Sequence, residues 1–181
     1  MRLLFPLALL GLAGPVHAAE PRIETYDVRG STYAELIASM RRNAPFVERT
    51  GQRHYGVTEV GFSPSWTFQP LSRGCELVSA RVDLRLTMVL PRWVGRETAD
   101  PALFARWTRL RDDIERHERL HADVALDYHR RLLDALDRPR TEATCERLNA
   151  VLTDEARVLV ERHRNAQRAI DRGGRNPASS G

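Results

Sequence analysis

The residues best suited to chemistry in this chain are His117, Glu118 and His121, which form an H-E-x-x-H motif. Two histidines four positions apart on a helix project from the same face, about 6 Å apart along the axis, so both can bind one metal ion. Zinc is the ion that a pair of imidazoles favours. Glu118 would then be the general base that takes a proton from a water activated by the ion.

A catalytic zinc site needs a third protein ligand and an open fourth position. Beyond Asp100 the chain reads as two long helices that turn near residues 139–140, and their apolar stripes carry the histidines inward. In a symmetric antiparallel hairpin, His163 faces residue 116, within about one helical turn of both motif histidines. The spacing therefore predicts His163 as the third ligand, and Glu155 remains the alternative.

The sequence places other polar side chains less well. His129 lies beyond His121 by about 12 Å along the same helix, which is too far to share the ion. His54 lies in a strand-like stretch, and no pattern brings it to the motif. Tyr128 and His129 are candidates for stabilising the oxyanion that develops during hydrolysis.

The segments before the helices predict a small β-sheet. Residues 23–28 form a strand candidate, and a short helical pattern follows it. The β-branched and aromatic residues of 53–71 predict two strands with a turn or bulge at Pro64. The alternation over 75–90 predicts a longer strand that Pro91 ends. The fold class predicted from these patterns is α+β, with a small antiparallel sheet packed on a long antiparallel helical hairpin in a zincin-like arrangement.

The two ends of the chain predict an exported protein with one domain. Residues 1–18 read as a signal peptide, with a short charged start, an apolar run and a small-residue cleavage site at Ala18. A single metallohydrolase domain would then cover residues 19–172, and residues 173–181 predict a disordered tail because they lack large apolar side chains. No segment after the signal is apolar enough to predict a membrane span. The predicted location is secreted or periplasmic.

Charge and cysteine content narrow the function classes. All 28 basic residues are arginine, and they alternate with 24 acidic residues without forming one basic block, which argues against nucleic-acid binding. Cys75 and Cys145 predict a disulfide, since an exported chain meets an oxidising compartment. Two buried free thiols are the alternative.

These residues resemble a bacterial family of uncharacterised secreted proteins described as predicted secreted zinc-dependent proteases. The resemblance covers nearly the whole mature chain, including the H-E-x-x-H motif, both cysteines, Tyr26-Asp27-Val28-Arg29-Gly30-Ser31-Thr32, Gly56-Val57-Thr58, Leu90-Pro91-Arg92-Trp93 and Trp107. Near its end the family tends to show Thr-x-His-Gly followed by Gln. His163 and Gln167 match that segment, whereas Glu161 and Arg164 replace the Thr and the Gly.

The predicted function is zinc-dependent hydrolysis of peptide bonds in a peptide or protein of the cell envelope, with Glu118 as general base. An exposed sheet edge beside the cleft could hold the substrate as an added strand. A hydrolase of cell-wall amide bonds would use the same chemistry. A non-catalytic, zinc-stabilised binding module is the other alternative, although a purely structural site would usually close all four metal positions and would not need Glu118.

Overall fold

The computed structural model describes residues 20–173 and shows an α+β fold with a mixed sheet and three α-helices in that range. The predicted signal peptide and residues 174–181 of the predicted tail lie outside the described residues. The elements follow one another as β1 (Arg22–Val28), α1 (Tyr33–Asn43), β2 (Phe46–Val47), β3 (Gln52–Arg53), β4 (Val57–Pro70), β5 (Cys75–Trp93), α2 (Pro101–Leu136), β6 (Thr141–Glu142) and α3 (Cys145–Gly173).

The long strand β5 lies at the centre of the sheet, between β1 and β4. It is antiparallel to β4 but parallel to β1. The predicted α+β class is confirmed, but the sheet is mixed where the sequence predicts an antiparallel one. After the turn that follows β4, the chain returns between β4 and β1, so β5 runs in the same direction as β1. β6 adds a short antiparallel pair at the start of β5, and β2 and β3 form a separate small hairpin.

Both long strands pass through prolines that predict a break. β4 is one continuous strand of 14 residues in place of the two predicted, and Pro64 pairs with Val82 within it. β4 is an edge strand, and an edge strand tolerates a missing N–H on its open side. β5 continues through Pro91 to Trp93, because this stretch lies beyond the last β4 pair and has only β1 beside it.

The two helices of the hairpin differ in how well the sequence marks their starts. The Asp100 carboxylate accepts hydrogen bonds from the backbone N–H groups of Ala102 and Leu103, at 2.9 and 3.1 Å, so α2 begins where the sequence predicts. Thr141 belongs to β6, and α3 begins only at Cys145. The connection between the helices is therefore longer than the turn near residues 139–140 that the sequence predicts.

This connection runs past the end of α2 to reach the sheet. Glu142 pairs with Cys75 in the ladder between β5 and β6. A disulfide joins Cys75 to Cys145 and confirms the predicted pairing. The two links tie β6 and the first turn of α3 to the start of β5. A disulfide is also compatible with the predicted export to an oxidising compartment.

Two apolar clusters fix the hairpin against the sheet. One joins α1, β1, the end of β5 and the first half of α2, with Met88 and Trp107 among its buried members. The other joins the start of β5 to the adjoining ends of α2 and α3 around Leu132 and Leu148. The central turns of α2, which carry the H-E-x-x-H motif, are thereby held between two packed regions. Within residues 20–173 no helix is long and apolar enough to cross a bilayer.

Candidate metal centre

Three side chains from the two long helices converge on one point. His117 and His121 lie one turn apart on α2, and their Nε2 atoms are 3.2 Å apart. Asp171, from the last turn of α3, places Oδ1 3.2 Å from Nε2 of His121 and 3.8 Å from Nε2 of His117. Around a tetrahedral zinc ion with bonds of about 2.1 Å, neighbouring ligand atoms lie about 3.4 Å apart. The three donors therefore have the spacing that a zinc ion requires.

The charges around this point also fit a divalent cation. Burial lowers the pKa of His117 below its ordinary value, and the neighbouring His121 lowers it further, while Asp171 acts in the opposite direction. A neutral imidazole keeps a lone pair on one ring nitrogen for a metal. The side chain of Asp171 is 46% exposed, so the donor group is open to solvent on that side and leaves space for a further ligand.

Glu118 lies beside these donors but faces β4 and is buried. The Thr58 hydroxyl donates a hydrogen bond to Oε2 of Glu118 at 2.8 Å. Burial raises the pKa of the Glu118 carboxyl above its ordinary range, and the hydrogen bond from Thr58 opposes that shift in part. A carboxylate with a raised pKa is a stronger base than an exposed one, which suits it to proton transfer near neutral pH.

A glycine permits this close approach of Glu118 to the sheet. An ideal Cβ on Gly56, just before β4, would lie 2.7 Å from Oε1 and 2.8 Å from Cγ of Glu118, and 2.6 Å from Cγ2 of Ile114. Atoms that are not bonded to each other do not approach so closely without displacement. The chain before β4 can therefore lie against α2 at this point only because residue 56 has no side chain.

A cavity of about 670 Å³ covers the three donors and Glu118. Its walls are the β2–β3 hairpin, the first residues of β4 and the facing sides of α2 and α3. This volume lies within the range of about 300–1,000 Å³ that is usual for ligand pockets. The candidate metal ligands and the candidate base thus share one space that a substrate can enter.

Residues 23–175 match the family described as bacterial protein of unknown function (DUF922). The chain belongs to this family. The match covers all the candidate ligands, the general base and both cysteines. No curated protein and no solved structure matches the chain. Family membership therefore assigns no activity, and the chemistry has to be argued from the site itself.

In this DUF922 member, His163 lies on the cavity wall beside the converging donors and is not one of them. Its Nε2 is 2.8 Å from Nε2 of Gln167. Its ring packs edge-on against Phe62 and Tyr128, with centroid distances of 4.9 and 5.6 Å. His163 as a zinc ligand therefore stays a prediction, and the geometry favours Asp171 in that role.

The alternative ligand, Glu155, lies in another part of the hairpin. It forms an ion pair with the Arg140 guanidinium and lines an outer groove between α2 and α3, away from the cavity that holds the motif. The geometry therefore gives no support to a metal ligand at this position.

The structure also shows where the three remaining polar side chains lie: His129, Tyr128 and His54. Nε2 of His129 lies 2.7 Å from the carbonyl oxygen of Val82, and neither His129 nor Tyr128 lines the cavity. Their proposed role with the oxyanion therefore has no geometric support. His54, which no sequence pattern brought to the motif, does line the cavity, and its Nε2 lies 2.7 Å from the Thr50 hydroxyl oxygen.

The start of α3 explains why the sequence pattern does not bring Asp171 to the motif. A symmetric turn at residues 139–140 would put residue 158 opposite His121, but Gln167 is there, donating to the His121 carbonyl oxygen at 3.0 Å. The partner lies nine residues further along α3, about 13 Å at 1.5 Å per residue, because the chain first passes through β6. A signal was present nevertheless: His163, Gln167 and Asp171 recur every fourth residue on one face of α3.

Proposed function

We propose that the protein is a zinc-dependent hydrolase of peptide bonds, with His117, His121 and Asp171 as zinc ligands and Glu118 as the general base. The observation that carries the proposal is the convergence of three donors at zinc-like spacing, beside a buried carboxyl and inside one open cavity. Zinc bound at these residues would supply Lewis-acid activation of the attacking water and of the scissile carbonyl.

Glu118 carries out the proton transfer in this proposal. Its carboxylate accepts the proton that the attacking water loses and passes it to the leaving amine. Thr58 binds Oε2 and so leaves Oε1 for this exchange. The raised pKa of the carboxyl supports the assignment, because the proton has to be taken up and released near neutral pH.

Two features of the cavity support a peptide as the substrate. β4 is an edge strand, and its first residues line the cavity, so an extended peptide can add to it as a further strand. Phe46 on β2 also lines the cavity and is 56% exposed, which provides an apolar surface for a substrate side chain. Export, where it occurs, would give the enzyme access to proteins of the cell envelope.

The test compares Glu118→Gln with the parent chain and with Glu115→Gln on the same helix. Glu115 pairs with Arg111 and Arg119 near the surface, so its loss should have little effect on the fold. We expect the parent and Glu115→Gln to cleave members of a peptide library in a chelator-sensitive way. Glu118→Gln should keep stoichiometric zinc, measured by elemental analysis, and lose cleavage.

The results also separate the alternatives. Zinc binding without cleavage of any peptide by the parent would indicate a zinc-stabilised binding module. Release of amines from cell-wall material, without cleavage of protein peptides, would indicate a hydrolase of cell-wall amide bonds. A parent chain that binds no zinc would contradict the metal assignment altogether.

A further inference from the structure

One glutamine side chain connects the two helices at the metal site. Gln167 on α3 reaches across to α2, where its Oε1 contacts Nδ1 of His121 and its Nε2 lies 3.0 Å from the His121 backbone oxygen. The same Nε2 lies 2.8 Å from Nε2 of His163. Gln167 thus contacts the ring and the backbone of the candidate ligand His121, and also the ring of His163.

The backbone oxygen of His121 decides which way the Gln167 amide faces. A carbonyl oxygen only accepts hydrogen bonds, so the group 3.0 Å from it must be the amide nitrogen, which donates. The amide oxygen then faces Nδ1 of His121. Because that oxygen only accepts, Nδ1 must carry the proton. The proton on Nδ1 of His121 therefore follows from a single backbone acceptor, without any assumption about a metal.

The second hydrogen of the amide nitrogen fixes the state of His163. Nε2 of His163 has to accept this hydrogen, so the ring is neutral with its proton on Nδ1. Burial lowers the pKa of His163 to about 4, which agrees with a neutral ring at pH 7. Both hydrogens and the oxygen of Gln167 then have partners, and the side chain is held in one orientation.

We propose that Gln167 is a positioning residue: it holds His121 in the Nδ1–H tautomer, so that Nε2 faces His117 and Asp171, while His163 accepts from Gln167 and keeps it in place. Histidine ligands usually donate their second ring N–H to a carbonyl or carboxylate, which orients the ring and raises its affinity for the metal. The consequence for zinc rests on the function proposed above, whereas the proton on Nδ1 does not.

The first experiment reads the tautomer in the full, disulfide-bonded chain after removal of metal by a chelator. Long-range ¹H–¹⁵N spectra distinguish protonation at Nδ1 from protonation at Nε2. We expect His121 in the Nδ1–H form in the parent and a mixture of both forms in Gln167→Met, which keeps the length of the side chain but cannot form these hydrogen bonds. The matched control is Gln69→Met, an exposed position on β4 outside the cavity.

The second experiment measures zinc affinity by competition with a chromogenic chelator. Gln167→Met should weaken zinc binding by about 10- to 100-fold, the usual effect of removing a partner of a metal ligand. His163→Phe keeps the ring packing and removes only the acceptor for Gln167, so it should weaken binding by less than about tenfold, the effect of one neutral hydrogen bond. Asp171→Asn should cost more than His163→Phe.

Three results would overturn the proposal. These are the Nε2–H tautomer at His121 in the metal-free parent, an unchanged tautomer in Gln167→Met, and a larger loss of zinc affinity in His163→Phe than in Asp171→Asn. The last result would make His163 a ligand. A parent that binds no zinc but shows the Nδ1–H tautomer would contradict the proposed hydrolase and leave the role of Gln167 toward His121 in place.

Discussion

Replacing Gly56 by alanine tests the close contact between the start of β4 and the candidate base. The new Cβ would meet three atoms of Ile114 and Glu118 at 2.6, 2.7 and 2.8 Å. Each is about 1 Å inside an ordinary carbon contact of about 3.5–4.0 Å. Overpacking of this kind costs about 1–3 kcal/mol, and alanine returns about 0.4–1 kcal/mol by restricting the unfolded chain. We therefore expect a net loss of about 1–2 kcal/mol.

The matched control is Gly61→Ala, which lies within β4, five residues after Gly56. Its Cβ would meet only the end of the Arg85 side chain, with Nη2 at 3.3 Å, and that flexible group can move aside. The free energy of unfolding should then not fall, and it can rise by up to about 1 kcal/mol, because alanine still restricts the unfolded chain. The difference between the two variants isolates the contact of Gly56 with α2 from the general effect of replacing a glycine by alanine in this part of the chain.

Urea denaturation of the metal-free, disulfide-bonded chain measures both variants, and an unchanged slope of the free energy against urea confirms that the comparison concerns stability alone. Displacement of the Glu118 carboxylate by about 1 Å should also lower kcat of the proposed hydrolase by up to about 100-fold while zinc affinity is kept. If Gly56→Ala proves as stable as the parent or as Gly61→Ala, the contact does not constrain Glu118 and the reasoning fails.

Two further predictions concern stability. Reduction of the Cys75–Cys145 disulfide, which spans 70 residues, should lower the free energy of unfolding by about 4 kcal/mol on the chain-entropy model. Urea unfolding with and without reductant measures this loss. As a control, the stability of a Cys75→Ser/Cys145→Ser chain should not respond to reductant. Burial holds the pKa of His163 at about 4 in the folded chain, against 6.5 ordinarily, so only the unfolded chain binds this proton between those values. The free energy of unfolding of the metal-free protein should therefore fall as the pH drops from 6.5 to 4. His163→Gln should reduce the slope of this free energy against pH. An unchanged slope in that variant would contradict the burial of a neutral His163.

Features set by neighbouring residues could be predicted from the sequence. Asp100 followed by Pro101 marks the start of α2, since the cap and the proline act on the same turn. The spacing of His117 and His121 brings their ring nitrogens together on one helix without help from the rest of the chain. These local signals are sufficient to predict the helix α2 and the two candidate metal ligands on it.

Features set by distant pairing could not be predicted in the same way. The pairing of Glu142 with Cys75 carries the chain past the end of α2, and this changes which residues of α3 face the motif. The apolar stripe of α3 does not by itself indicate how far α3 is shifted along α2. The sequence therefore predicts His163 as the third donor, whereas the geometry brings Asp171 to the two motif histidines. In the sheet, the parallel pairing of β1 with β5 likewise depends on where β5 inserts.

The proline in β4 limits how another strand can pair with this edge of the sheet. An edge strand of 14 residues is long enough to recruit the edge of another copy, which is the usual route to aggregation. Pro64, near its middle, has no N–H to offer such a neighbour, so any continuous ladder on this edge would be interrupted there. The stretch of β4 before Pro64 adjoins the cavity, and it is the part to which the proposed peptide substrate would add. The edge is thus suited to brief segments and resists long, self-propagating ones.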